Sequence, residues 1–109
     1  MPDYQIQLNE KAIVVHLLRS MTRNYHNGLN DAIDAAVADG ATRLVIDLKD
    51  VSFIDSSGIT ALLKAKKSAD VAGAAFYICN AAAAIQSVLK SLNLERVFNV
   101  KASLEEALK

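Results

Sequence analysis

Residues 44–63 read LVIDLKDVSFIDSSGITALL. Leu44, Val45 and Ile46 form an unbroken apolar run that ends in Asp47 and Leu48. A short polar link carrying Val51 and Phe53 leads to Ile54-Asp55-Ser56-Ser57-Gly58. Beyond it the apolar residues fall at Ile59, Leu62 and Leu63. The spacing thus changes from that of a strand covered on both faces to that of a helical stripe. The stretch reads strand, loop, helix, with an acidic, hydroxyl-rich knot where the helix begins.

The flanking chain supplies partners for this unit. Tyr4, Ile6 and Leu8 alternate with polar residues, the period of a half-buried strand. Asn9-Glu10-Lys11 is a turn, and Ala12 to Leu18 is a more continuous apolar run, so the pair predicts an antiparallel hairpin. Residues 19–24 are polar and aperiodic and are expected to be a loop. Leu29, Ile33, Ala36 and Val37 then share one helical stripe, and this helix, about 25–38, stops at Asp39-Gly40. The third strand is expected at 43–48. The second helix starts at Ser56 or Ser57 and ends near Gly73, with Ile59, Leu62, Leu63 and Ala69 inward and Lys64, Lys67 and Ser68 outward. Ala75 to Cys79 is the fourth strand, and Asn80 is expected to cap a third helix carrying Ile85, Val88, Leu89 and Leu92 at i, i+3, i+4, i+7. Glu95 to Phe98 is expected as a short edge strand. Ser103-Leu104-Glu105-Glu106 has capping-box spacing and opens a last short helix.

The resulting order is β-β-α-β-α-β-α-β-α. Alternation after the hairpin predicts an α/β fold: a mixed, mostly parallel sheet of about five strands with four helices. At 109 residues the chain is read as one domain spanning 1–109, long enough to bury a core without staples. Twelve basic residues balance twelve acidic ones, which removes any global electrostatic drive towards nucleic acid or anionic lipid. The single cysteine, Cys79, excludes an intrachain disulfide and a cysteine zinc site, and in a strand it reads as a small core hydrophobe. No apolar run approaches the roughly 20 residues of a spanning helix. The start, MPDYQIQLNE, lacks the basic and apolar regions of a signal peptide. These features predict a cytoplasmic protein that takes no cofactor or metal.

Candidate functional residues follow from position. In a parallel sheet, functional groups gather where strand carboxyl ends feed helix starts. Asp55-Ser56-Ser57-Gly58 occupies such a place. Free N–H groups and partial positive charge at a helix start accept anions, and a phosphate on Ser56 would add about −1.5 to −2 charges there. Gly58, lacking a side chain, would let another backbone approach. Two readings stand side by side at this point: Asp55 or Ser56 is simply an N-cap, or Ser56 is a phosphorylatable switch.

Leu44-Val45-Ile46-Asp47-Leu48 followed by Val51-Ser52-Phe53-Ile54-Asp55-Ser56-Ser57-Gly58 resembles the signature of the STAS domain of bacterial anti-sigma factor antagonists. More weakly, the likeness extends over nearly the whole chain, through Phe76-Tyr77-Ile78-Cys79-Asn80 and the segment from Ile85 to Phe98. The resemblance implies a non-enzymatic partner switch. The unphosphorylated form would bind a serine kinase-type anti-sigma factor, phosphorylation of the first serine after the aspartate would abolish binding, and a PP2C-like serine phosphatase would restore it. Carried over, the acceptor is Ser56, with Asp55 its neighbour and Ser57 and Gly58 shaping the helix start. Thr60, Arg19 and Arg23 complete the expected partner-facing set. The sequence departs from the family between the second strand and the first helix. A Gly-x-x-Asp-type motif is usual there, and this chain has Arg19-Ser20-Met21-Thr22-Arg23. The departure implies a divergent kinase partner and an output that is either sigma-dependent transcription or a biofilm or exopolysaccharide programme. The competing class is a scaffold or small-ligand STAS module of a sensory or transport complex. The free protein is read as a monomer or weak dimer.

Rival chemistries lack their parts. A receiver domain needs an acidic pair after its first strand, whereas the first strands here end in Asn9-Glu10 and Leu18-Arg19. The Gly-x-Ser-x-Gly nucleophile elbow is absent, and the glycines at 28, 40, 58 and 73 are too scattered for a nucleotide loop. His16, in an apolar strand, reads as structural, and His26, at a helix start, as solvated. Lys64, Lys66 and Lys67 read as a solvated helix face that could also meet an acidic partner.

Overall fold

The computed structural model describes residues 4–18 and 29–109. Among the described residues nine elements follow in order: β1 (Tyr4–Asn9), β2 (Ala12–Leu17), α1 (Leu29–Ala38), β3 (Arg43–Asp47), α2 (Ser56–Ala72), β4 (Ala75–Cys79), α3 (Ala83–Ser91), β5 (Val100–Lys101) and α4 (Leu104–Leu108). The strands lie side by side in the order β1-β2-β3-β4-β5. β1 and β2 pair antiparallel, and the other three pairings are parallel. The predicted mixed sheet with an antiparallel margin is therefore the observed one.

Side-chain alternation along the strands creates two unequal cores. Ile13, Val15 and Leu17 of β2, Leu44 and Ile46 of β3 and Phe76 and Ile78 of β4 face one way and are all buried. They meet Leu29, Ile33 and Val37 of α1, Ile59, Leu62, Ala65 and Ala69 of α2, and Ile85 and Leu89 of α3. Val14, Val45 and Cys79 face the opposite way and are sealed by Ala107 of α4, with Tyr77, Leu104 and Leu108 around them. β2 and β3 are covered on both faces, which is why their sequences read as runs instead of alternations.

Cap chemistry matches the sequence at two helices. Gly73, with φ 77, ends α2 in the left-handed conformation that glycine adopts without a Cβ penalty. The Ser103 side chain accepts from the Glu106 N–H at the start of α4, and the Glu106 carboxylate reaches back to the Ala102 N–H at 3.2 Å. The sequence had Ser103 and Glu106 in this relation.

Five local expectations are corrected. Asn80 does not cap α3: it has φ 58, its side chain is committed to Asp47, and α3 begins after Ala82. Glu95 to Phe98 is not a strand. The Phe98 N–H bonds the Leu94 carbonyl across a helix-like turn, and Phe98 packs on Phe76 with ring centroids 5.8 Å apart. The fifth strand comes afterwards, as the two residues Val100–Lys101. Leu63 is 41% exposed, because α2 meets the sheet along Gly58, Ala61, Leu62, Ala65 and Ala69 and Leu63 lies about 100° further round. Leu92, expected on the buried stripe of α3, is 53% exposed: it is the C-cap residue, where the chain leaves the helix axis. Val88 is also exposed, so Ile85 and Leu89 alone anchor α3. Residues 25–28 of the expected first helix lie outside the described residues, and α1 proper ends at Ala38 as expected.

Candidate functional site

The carboxyl ends of β2, β3 and β4 lie on one margin of the sheet, since all three run parallel. The loop 48–55 leaves β3 at this margin and delivers α2. Its first residue is held by the Leu48 N–H, which donates to the Cys79 carbonyl at 3.0 Å. Val51 and Ile54 are buried and fasten the loop from beneath, while Phe53 is 53% exposed.

Asp55 is the N-cap of α2. Its backbone is extended (φ −108, ψ −173), and its carboxylate accepts from the Gly58 N–H at 3.1 Å. Its carbonyl accepts from the Ile59 N–H, the first bond of the helix. Of the two cap residues that the sequence offered, the structure uses Asp55 and not Ser56. Ser56 is the first helical residue; it is exposed, and its hydroxyl has no hydrogen-bond partner among the described residues. Ser57 is half-buried and Gly58 is buried. Thr60 is exposed one turn after Ser56, and its hydroxyl donates to the Ser56 carbonyl at 2.9 Å. Leu63, Lys64 and Lys67 continue this outer surface along α2. Lys66 is tied to Asp70 at 2.8 Å, a pair four residues apart on the helix. Arg19, Arg23 and His26 lie outside the described residues.

Beside the loop lies a polar cluster that the sequence did not single out as a site. Asp47, at the end of β3, is only 5% exposed. One of its oxygens, Oδ2, lies 2.7 Å from His16 Nδ1. The other, Oδ1, accepts from the Lys49 N–H and from Asn80 Nδ2, both at 3.0 Å. His16 Nε2 is in turn 2.9 Å from Gln7 Oε1. The carboxylate thus ties together the ends of β2, β3 and β4 and the first turn of the loop that carries Ser56. A buried carboxylate must be paired or hydrogen-bonded, and an aspartate closing an apolar strand was the signal that could have found the cluster. His16 is structural, as read, but its partner could not be named from one dimension. The same carboxylate acts on Cys79: burial first, and Asp47 second, push its thiol from 9.0 up to about 12. Cys79 is fully buried, as expected of a small core residue.

Known proteins share this fold. The STAS domain family profile matches residues 3–107. A Thermotoga maritima protein provisionally assigned as an anti-sigma factor antagonist superposes with a TM-score of 0.87 at 17% identity, over 96% of this chain and 91% of that one. SpoIIAA, the anti-sigma factor antagonist described as a Bacillus cell fate determinant, matches in its unphosphorylated form with a TM-score of 0.81 at 20% identity, over 96% of this chain and 92% of that one. Its phosphorylated form gives a TM-score of 0.75. An anti-sigma factor antagonist from Mycobacterium paratuberculosis matches with a TM-score of 0.82 at 24% identity, over 96% and 89% of the two chains. At these identities the likeness is one of fold.

Proposed function

The chain belongs to the STAS domain family, and from that premise we propose that it is a phosphorylation-controlled partner switch with Ser56 as the acceptor. The unphosphorylated protein docks on a serine kinase-type anti-sigma factor, or an equivalent response protein, through the surface around the start of α2. The protein is not itself an enzyme; the kinase supplies the chemistry. The Ser56 hydroxyl attacks the γ-phosphate of the kinase's ATP, its proton passes to a base of the kinase, and ADP leaves. A PP2C-like phosphatase reverses the modification by hydrolysis. The output is sigma-dependent transcription or a biofilm or exopolysaccharide programme, and the protein works in the cytoplasm.

The observation that carries this reading is the division of labour between Asp55 and Ser56. Asp55 is spent on the cap, so Ser56 presents a free, exposed hydroxyl at the helix start. A phosphate there adds about −1.5 to −2 charges beside the Asp55 carboxylate. In the free protein water solvates that charge, and the fold is not disturbed. In a docked complex the charge must be desolvated next to a carboxylate, which is costly without a paired cation. Docking is lost while folding is retained. The solved phosphorylated form of SpoIIAA supports this reading by showing that a protein of this fold exists in both states. Thr60, Phe53, Ser57 and the arginines Arg19 and Arg23 are proposed as the surrounding contact surface.

Calorimetric titration of the cognate kinase-type partner tests the proposal. Ser56→Ala is expected to bind as the wild type does, and Ser56→Asp to lose at least tenfold in affinity, about 1.4 kcal/mol. Intact-mass analysis after incubation with kinase and ATP is expected to show one added phosphate on the wild type and none on Ser56→Ala. Equal binding by both variants, or a phosphate mapping to another residue, would overturn the assignment and leave the scaffold reading in its place.

A further inference from the structure

The sheet has two edges of different character. β5 is two residues long and carries Lys101, so it offers little to another strand. β1 is six residues, YQIQLN, without a charge or a proline, and its register with β2 runs unbroken from Tyr4–Leu17 to Asn9–Ala12, so no bulge twists it away. Among the described residues, none of the usual devices that blunt an edge strand is present along it.

Which backbone groups of β1 are free follows from the hairpin. The loop is Glu10-Lys11, so Asn9 and Ala12 form the hydrogen-bonded pair that closes it. Alternation then makes Gln7–Val14 and Gln5–His16 hydrogen-bonded pairs as well. The N–H and C=O groups of Tyr4, Ile6 and Leu8 therefore point away from β2, where no described strand meets them. Beside this edge Leu8 is 73% exposed, and it overhangs a shallow cavity of about 490 Å³ shared with Ala32, Ala35, Ala36, Ala38 and Asp39. A leucine overhanging alanines next to an open ladder is an apolar surface without an owner among the described residues.

We propose that β1 pairs with β1 of a second copy of this chain, antiparallel about a two-fold axis at Ile6, joining two five-stranded sheets into one. Self-pairing is favoured because this register uses every free group. Ile6 faces Ile6 of the second copy and Tyr4 faces Leu8, so each outward residue meets another outward residue, and each such pair exchanges two hydrogen bonds. All these side chains lie on the helix-bearing face, so Leu8 gains a cross-strand aromatic partner in Tyr4. Charge raises no objection. β1 is neutral, and the two Leu8 residues, with the Asp39 carboxylates near them, lie at opposite ends of the pairing, about 14 Å apart along the strands at ~3.4 Å per residue. One strand and a row of alanines per partner bury less than the roughly 1,600 Å² of a standard interface, so the dimer is weak and concentration-dependent. A different protein with a free strand is the competing occupant, and the experiment separates the two.

Sedimentation equilibrium of the wild type from micromolar to millimolar concentration is expected to rise from 11.7 kDa towards twice the chain mass. Amide exchange by NMR is expected to slow with concentration at Ile6 and Leu8, and to stay unchanged at Gln5 and Gln7, whose amides already face β2. Leu8→Pro removes an outward N–H without touching the β2 ladder, and Leu8→Lys adds like charge to the edge. Both are expected to remain at 11.7 kDa throughout. If one variant fails to fold, by circular dichroism, the other decides. A wild type that is monomeric at millimolar concentration overturns the proposal and leaves the edge to a foreign strand. So does a dimer without added protection at Ile6 and Leu8, or one that the folded variants form equally well.

Discussion

Removing the Asp47 carboxylate is the perturbation that most directly tests how the site is built. Asp47→Ala deletes the acceptor for His16 Nδ1, the Lys49 N–H and Asn80 Nδ2 in one step. Hydrogen bonds to charged groups contribute about 1.5–3 kcal/mol each, and a buried donor left unpaired costs about 1–3 kcal/mol. Three such bonds do not add in full. His16 is partly exposed, at 22%, and water can replace some of what is lost. The expected destabilisation is therefore about 3–5 kcal/mol, the range for breaking a buried pair. That is a large share of the roughly 5–15 kcal/mol that holds a domain of this size. Asp47→Asn makes a sharper comparison. Its amide oxygen can keep the Lys49 and Asn80 donors, and its amide nitrogen can donate to a neutral His16 ring. It is expected to cost about 1 kcal/mol, the net worth of one ordinary hydrogen bond. Urea unfolding at neutral pH measures both, with an unchanged slope showing that the unfolded state is not the cause. A loss under about 1 kcal/mol for Asp47→Ala, the net worth of one ordinary hydrogen bond, would refute the claim that this carboxylate ties three strand ends together. An equal loss for the two substitutions would show that charge, not the hydrogen-bond set, is what matters.

Three further outcomes follow from the same geometry. Asp55→Ala removes the α2 cap and is expected to cost about 1 kcal/mol in urea unfolding, with Asp55→Ser recovering most of it; equal stabilities would deny Asp55 the capping role. The Cys79 thiol, raised to about 12 by burial and by Asp47, stays protonated in the folded protein well above the pH at which the unfolded thiol ionises. Iodoacetamide at pH 8 is therefore expected to label Cys79 only in denaturant, and labelling of the native protein at the rate of a free thiol would contradict its burial. The sign for stability follows: the unfolded thiol releases its proton first, so between about pH 9 and 12 this group makes folding less favourable as pH rises.

The local grammar of the chain determined its architecture. Runs covered on both faces, a period-two first strand and helices ended by glycine leave little freedom once right-handed crossovers are required, and the order of elements, the opening hairpin and the mostly parallel sheet came out as read. Asp55-Ser56-Ser57-Gly58 was legible as a helix entrance for the same reason, because capping is chemistry between neighbours three residues apart. What failed to show was whatever depends on a surface that the rest of the chain provides. Leu63 and Leu92 carry helical spacing, yet the sheet meets α2 along its alanines and α3 ends before Leu92 can turn inward. Asn80 has the side chain of a cap and serves Asp47 instead, thirty-three residues away in sequence. The pairing of His16 with Asp47 spans thirty-one residues. Periodicity and capping are short-range and can be read from one sequence. Which cap residue leaves a free hydroxyl, which carboxylate is buried and which strand edge stays open are decided only when distant segments pack, because burial and hydrogen-bond partnership are properties of the packed whole.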